Sequence, residues 1–550
     1  MAAKDKDQVK PLAPAELAAT RQALAAARGS RRLDVILDAR DPVALVRALP
    51  ADEVYFTIRE IGFADAAALV PLASADQFRT FLDLDAWRGD RFDVRRALPW
   101  LRAARAGAHL DPRSAARWSR KRAMLDRELV FLLLRETVQV HDLEEDPDPE
   151  FSSDRFQRTP EGKFVLEFHA EGAEYAAVRG LVDDLYADDP FMASRLLSAI
   201  RWDLPSELEE TALRWRTGRL ADHGFPSMEE ALSWFARPPR RGEPDEDRAP
   251  GATGRPPGYY LATLARGTLL DRAIARLEPD DRAAVEAQIV AAANAVLVAD
   301  GVDVGDPEAV RAAFEAARAT LEVGLGRLAP PVKEAEDADE AAARALAERP
   351  VKRIFQEGFL AALELRWRAE RILAAGGAGS REAPLLDAPL GEALTALVAR
   401  RPRYQPGLET PREEWGTLAA GVAEPRRFLS AAELTRTAAA LELADGLAAL
   451  ARGLGLAVKT AGPLAPRLSA LYLTALANER LGRPFSPAPL EPAELPAAAA
   501  AVATIEDPRL TGEAGKLLLE LARGRGEELR LAVEGTIRAE LVTAVVVAGS

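Results

Sequence analysis

The sequence predicts a mostly α-helical protein: stacked short helices, one small β-hairpin near residues 138–168, and a second helical domain. Three observations carry this. Alanine and leucine supply most of the apolar content while β-branched residues are sparse, which favours helix over sheet. Helix start and stop signals recur along the chain. Only one region alternates apolar and polar residues with the period of a strand.

The first ten residues, MAAKDKDQVK, read as a disordered tail, charged and without the apolar stretch of a signal peptide. From 11 to 140 the pattern is nearly continuous helix. Asp41 and Pro42 suit the cap and first turn of a helix running to Leu49, because proline lacks only a donor that is orphaned there. ADEVYFTIREIG follows and stops at Gly62. Ser74 and Gln77 form a capping box ahead of FRTFL. Asp111 and Pro112 open a long helix ending in the apolar ELVFLLLRETV. VQVHDLEEDPDPEF and GKFVLEFHAE then read as two strands paired across an acidic loop, since Phe164, Leu166 and Phe168 alternate, with His141 and His169 facing each other. Helices resume near Glu174.

WDLPSELEETALRWRTGRLADHGFP, residues 202–226, holds the most detailed local signals. Ser206 and Glu209 fit a capping box, and Leu208, Ala212 and Trp215 share one helix face. Gly224 stands where a left-handed C-terminal residue belongs, with Phe225 free to fold back on the last turn. Ser227 and Glu230 begin the next helix at once. An earlier stretch runs in the same order, from Asp41-Pro42 through Leu49-Pro50 to Gly62-Phe63, matched by Asp189-Pro190, Leu204-Pro205 and Gly224-Phe225. Pro50 to Gly62 spans 12 positions and Pro205 to Gly224 spans 19, so the second copy is longer by about two helical turns and stays in phase. Asp306-Pro307 is a weaker echo. Degenerate helical repeats that stack to bury their apolar faces explain this order. The expected domains are 11–236 and 259–550, joined by a linker at 237–258 rich in proline, glycine and charge. Breaks are expected near 330–342, a polar stretch whose alanines could instead carry a solvated helix, and near 374–384, the latter beginning in the flexible AAGGAGS.

WDLPSELEE…RWR…GRLADHGF, with GRPFSPAPLEP at 482–492, resembles an uncharacterised bacterial family, a domain of unknown function. LPADEVYFTIREIGFADAAALVPLASADQFRTFLDLDAW, about residues 40–105, loosely resembles the helical repeats in the cytoplasmic N-domain of bacterial magnesium transporters. That second resemblance implies a right-handed helical stack with acidic, magnesium-responsive surfaces. The first implies no activity.

Composition narrows function further. With 86 acidic against 72 basic residues the net charge is −14, which disfavours nucleic acid or an anionic membrane as the main partner. No cysteine is present, which removes thiolate catalysis and cysteine-ligated zinc. No apolar run reads as a membrane span, so a cytoplasmic protein is expected. A bias to Ala, Arg, Gly and Pro suggests a bacterial genome rich in G and C.

Candidate sites are few. LDLDAWRGDRFD sets Asp83, Asp85 and Asp90 around a turn, and converging carboxylates are what a hard cation such as magnesium requires; solvated, helix-capping aspartates are the alternative. Arg214-Trp215-Arg216 recurs as Arg366-Trp367-Arg368. Each triplet could hold an anion or partner between guanidinium and indole, or bury a core tryptophan under arginine stems. ARWSRKRAM gathers Arg117, Arg120, Lys121 and Arg122 into a basic patch. TGEAGKLLL lacks the first glycine and the hydroxyl of a phosphate loop, and Gly324-Leu325-Gly326 lacks the surrounding βαβ unit. The favoured reading is a cytoplasmic scaffold or regulatory module that binds another protein, with no evident cofactor. The alternatives are a divergent metal-dependent hydrolase, or a magnesium-responsive regulator, using the acidic loop 83–93.

Overall fold

Proline-preceding aspartates set the rhythm of the chain. Asp41, Asp111, Asp189 and Asp306 each stand before a proline, and each carboxylate accepts backbone N–H groups two or three residues on. These are donors that a helix start leaves free. The computed structural model describes residues 20, 23–24, 27, 29–202, 205–238, 267–328, 335–418, 421, 423–457, 466–535 and 544–547. The expected tail and nearly all of the 237–258 linker lie outside the described residues.

The described chain begins with α1 (Ser30–Leu37), α2 (Pro42–Ala48), α3 (Ala51–Ile61), the single turn α4 (Phe63–Ala66) and α5 (Ala75–Asp85). The Ser74–Gln77 capping box forms in both directions, and the Gln77 amide also donates to the carbonyls of Val46 and Leu49, tying α5 to the end of α2. A two-residue hairpin, β1 (Trp87–Arg88) and β2 (Arg91–Phe92), follows, then α6 (Val94–Arg105), α7 (Pro112–Ala123) and α8 (Arg127–Thr137).

The predicted two-stranded hairpin has three strands. β3 (Val138–Asp142) and β4 (Phe156–Arg158) flank a central β5 (Phe164–Phe168), all antiparallel. His141 lies opposite Val165 rather than His169, because His169 falls beyond the end of β5. His141 instead approaches Glu167, whose carboxylate also accepts from Ser152 and Ser153 of the acidic loop. Burial works against that charge, but these donors outweigh it and bring the pKa down to about 2.

Next come α9 (Gly172–Asp188), α10 (Pro190–Trp202), α11 (Pro205–Asp222), α12 (Met228–Ser233), α13 (Leu269–Ala275), α14 (Pro279–Asp300) and α15 (Pro307–Leu328). The corner after α11 is built as expected. Gly224 has φ 80°, its N–H bonds to the carbonyl of Ala221, and Phe225 bonds back to Leu220. The Ser227–Glu230 box also forms. The start of α11 differs from expectation: Ser206 is already inside the helix, and Glu209 accepts from the Phe92 N–H instead of capping. The corresponding glycine of the earlier stretch, Gly62, has φ 107° and leads directly into α4, so the two corners share their order but not their geometry.

The chain divides into two units: described residues up to 234 together with 278–317, and described residues 235–238, 267–277 and 318 onward. In the first unit α12 packs against α14. α14 is long and apolar enough to cross a membrane by length and composition, a feature the sequence reading did not single out. Most of it is buried inside the protein, as in a core helix, and its fully buried Asn294 donates to the Gly224 carbonyl.

The second unit continues with α16 (Ala335–Glu348), α17 (Val351–Ala375), α18 (Leu390–Leu397), α19 (Ala431–Gly453), α20 (Leu468–Arg480), α21 (Leu495–Ala501) and α22 (Gly512–Val533). Leucine and alanine from α17 to α22 form its core. Gly324 of α15 and Gly358 of α17 mark a backbone crossing: a Cβ on Gly358 would lie 1.9 Å from the Thr320 carbonyl oxygen. Close approach, not nucleotide binding, thus accounts for Gly324. The expected flexible break at AAGGAGS is a packed turn. Ala378 is fully buried, and a Cβ on Gly377 would lie 2.2 Å from the Ala448 carbonyl. The break expected at 330–342 is helical from Ala335 onward.

Candidate functional site

Asp83 and Asp85 lie two residues apart within α5, and two steps of ~100° send their side chains to nearly opposite sides. Asp90 sits exposed in the β1–β2 turn. The three carboxylates therefore do not come together, and among the described residues no three acidic or histidine side chains form a group suited to a metal ion.

Each buried aspartate has its own cations and donors. Asp85 accepts from the Trp100 indole at 2.7 Å, the Tyr55 hydroxyl at 3.1 Å and Arg96 at 2.9 Å, with Arg59 at 3.6 Å. Arg96 also grips Asp303, and Arg59 donates to the Gly305 carbonyl, so the loop between α14 and α15 is clamped onto α3, α5 and α6. Gly305 permits this approach, since a Cβ there would lie 2.3 Å from the Arg96 guanidinium.

Asp83 is held by α11. Arg219 meets its two oxygens at 2.7 and 2.8 Å and makes a second fork to Asp126, at 3.2 and 2.7 Å. Burial opposes the Arg219 charge, but the two carboxylates hold its pKa above the usual value. Arg216 donates to the Asp83 carbonyl at 2.7 Å and lies over the Trp87 ring at 5.2 Å.

This use of arginine inverts the expected orientation of the Arg-Trp-Arg triplets. Ala212, Arg216, Leu220 and Arg219 face inward, while Trp215 is 56% exposed, and Arg214 meets the exposed Glu210. In the second triplet Arg366 serves Glu370 and the carbonyls of Ala399 and Arg400. Arg368 approaches Glu442, and Trp367 is 43% exposed. The core-tryptophan reading is thus corrected: the arginines turn to carboxylates and carbonyls, and both indoles are left outward. The basic patch is also half internal, with Lys121 and Arg122 buried and Arg122 paired to Asp184 and Asp188.

Two further aromatic residues, to which sequence reasoning gave no role, are, like Trp215, outward residues of the first unit. On α10 the core-facing positions are Ala193, Leu197 and Ile200. Phe191, 73% exposed, and Trp202, 71% exposed, lie eleven residues apart and so share the opposite face. Arg201 lies 5.2 Å from the Trp202 ring. The outward signal in the sequence was the repeated Arg-Trp pair; nothing there distinguished inside from outside.

No curated protein and no solved structure matches the chain, so the likeness of residues 40–105 to magnesium-transporter N-domains gains no support. A family model does match, over residues 10–539, nearly the whole length. The chain belongs to the family of unknown function DUF6178.

Proposed function

We propose that the protein is an interaction module, a scaffold or regulator that engages another protein through the outward faces of α10 and α11. The observation that supports this is the exposure of Phe191, Trp202 and Trp215 on helices whose inward positions are already filled. Tryptophan and arginine are the residues that dominate binding energy at protein interfaces. An exposed indole flanked by guanidinium offers apolar area with a polar rim. The net charge of −14 directs the reading to a protein partner rather than nucleic acid.

The test is affinity capture from native lysate, comparing the wild type with a Trp202→Ala/Trp215→Ala double variant by quantitative mass spectrometry. A near-stoichiometric partner depleted at least ~10-fold by the variant, or ~1.4 kcal/mol, supports the proposal. Equal recovery on both baits rejects it. Repeating the capture with magnesium and with chelator separates a magnesium-responsive regulator from a constitutive one.

A further inference from the structure

A cavity of about 300 Å³ opens between β4, β5 and α9 of the first unit. Its wall on the sheet side is Gln157, Thr159, Pro160 and Leu166; α9 contributes Val182, Asp183, Tyr186 and Ala187. The sequence dictates this grouping. Gln157 and Leu166 are register partners, so they face the same way, and residues 182, 183, 186 and 187 share one helix face. The volume lies at the small end of the range for ligand sites.

The polar atoms are arranged for a particular chemistry. The Gln157 amide donates to Asp183 at 2.6 Å, which fixes the amide orientation, since a carboxylate can only accept. Among the described residues the buried Gln157 carbonyl oxygen has no hydrogen-bond partner. The Tyr186 hydroxyl gives its proton to Glu161 at 2.8 Å, and its oxygen is met by the Thr159 and Ser194 hydroxyls. Thr159 is engaged with the backbone of Phe164. Asp183 in the lining and Glu161 behind Tyr186 bring negative charge, and among the described residues no Lys, Arg or His lines the cavity. Leu166 and Val182 supply a buried apolar floor. An orphaned buried acceptor costs free energy until a donor arrives.

We propose that this cavity binds an organic cation, an ammonium group on a short aliphatic chain. The ammonium takes its hydrogen-bond acceptors from Gln157 and Asp183, while the chain lies on Leu166 and Val182. The same chemistry comes from a free amine or from a lysine side chain on a partner.

The test is ligand-observed NMR on the full chain with n-butylammonium, N-acetyl-lysine methylamide, butyrate and n-butanol. Saturable binding of the cations at about millimolar concentration is expected for so few atoms, with butyrate and butanol unbound. Gln157→Leu and Asp183→Asn should each weaken the cations at least ~10-fold, and Ala187→Phe, at an exposed position on the rim, should abolish binding without affecting folding. Tighter binding of the lysine derivative assigns the site to a partner's lysine; tighter binding of butylammonium assigns it to a free amine. Binding of butanol equal to butylammonium, cation binding unaffected by all three variants, or no cation binding overturns the proposal.

Discussion

Replacing Arg219 with methionine removes the cation shared by Asp83 and Asp126 while keeping most of the side-chain volume. Asp83 is 1% exposed, and Arg219 is the cation that forks both of its oxygens. Asp126 is partly solvated and recovers some hydration. Breaking a buried pair from one side costs about 3–5 kcal/mol, because the remaining charge stays desolvated. For a unit of this size that is roughly 2–4 °C per kcal/mol, hence a fall in Tm of about 6–20 °C. Adding Asp83→Asn should return part of the loss, since the amide carries no charge to strand. Burial raises the Asp83 pKa above its unfolded value even beside Arg219, and loss of Arg219 raises it further. The penalty should then be smallest at low pH and grow as pH rises through that window. Thermal melts of wild type, both single variants and the double variant between pH 4 and 8 read all of this. A single Arg219→Met variant melting within about 2 °C of wild type, or a double variant no better than it, would refute the reasoning.

Other consequences are equally direct. Lys121 is fully buried, donates to the Pro71 carbonyl at 3.1 Å, and is driven down to about 7 by desolvation and by Arg47, Arg117 and Arg120. The unfolded chain holds that proton up to about 10.5, so stability should rise with pH from 7 to 10.5. Lys121→Met should raise Tm at pH 7 and flatten that rise; at ~1.36 kcal/mol per unit the gain cannot exceed about 5 kcal/mol. An unchanged slope in pH-dependent melts contradicts it. The depressed Glu167 carboxyl stabilises the fold fully above about 4.5, and that contribution is lost as pH falls toward 2. Glu167→Gln should speed hydrogen exchange at the Ser152 and Ser153 amides at neutral pH; unchanged protection counts against the clamp. Gly358→Ala drives a methyl into the Thr320 carbonyl and should destabilise the second unit by about 3 kcal/mol or more in urea melts.

Much of the fold was legible because it is written in local chemistry. The Asp-Pro caps, the boxes at Ser74 and Ser227 and the turn at Gly224 each depend on a few neighbouring residues, and each forms. The sheet was legible only in part: β5 repeats Phe164, Leu166 and Phe168 at every second position, although all five of its residues are buried, whereas β4 has three, too few to show a period. The burial of α11 was hidden because its inward face carries Arg216 and Arg219, whose partners Asp83 and Asp126 lie far off in sequence. A polar inward face and an aromatic outward one defeat any argument from hydrophobic period. The aspartate cluster misled for the converse reason. Adjacency in LDLDAW suggested convergence, but helical geometry separates Asp83 from Asp85. The Gln157 cavity left no trace in sequence, since its walls come from a strand and a helix joined only by folding.

The interaction reading rests on what touches α10 and α11 when the protein works. Site-specific photo-crosslinking in the native host tests this most directly, with a benzophenone amino acid placed at Trp202, at Trp215 and, as a control, at the exposed Arg113 on α7. The expected result is one discrete crosslinked protein from both tryptophan positions and not from the control. Crosslinks that are absent, or identical from all three positions, would contradict the assignment of this face as the docking surface.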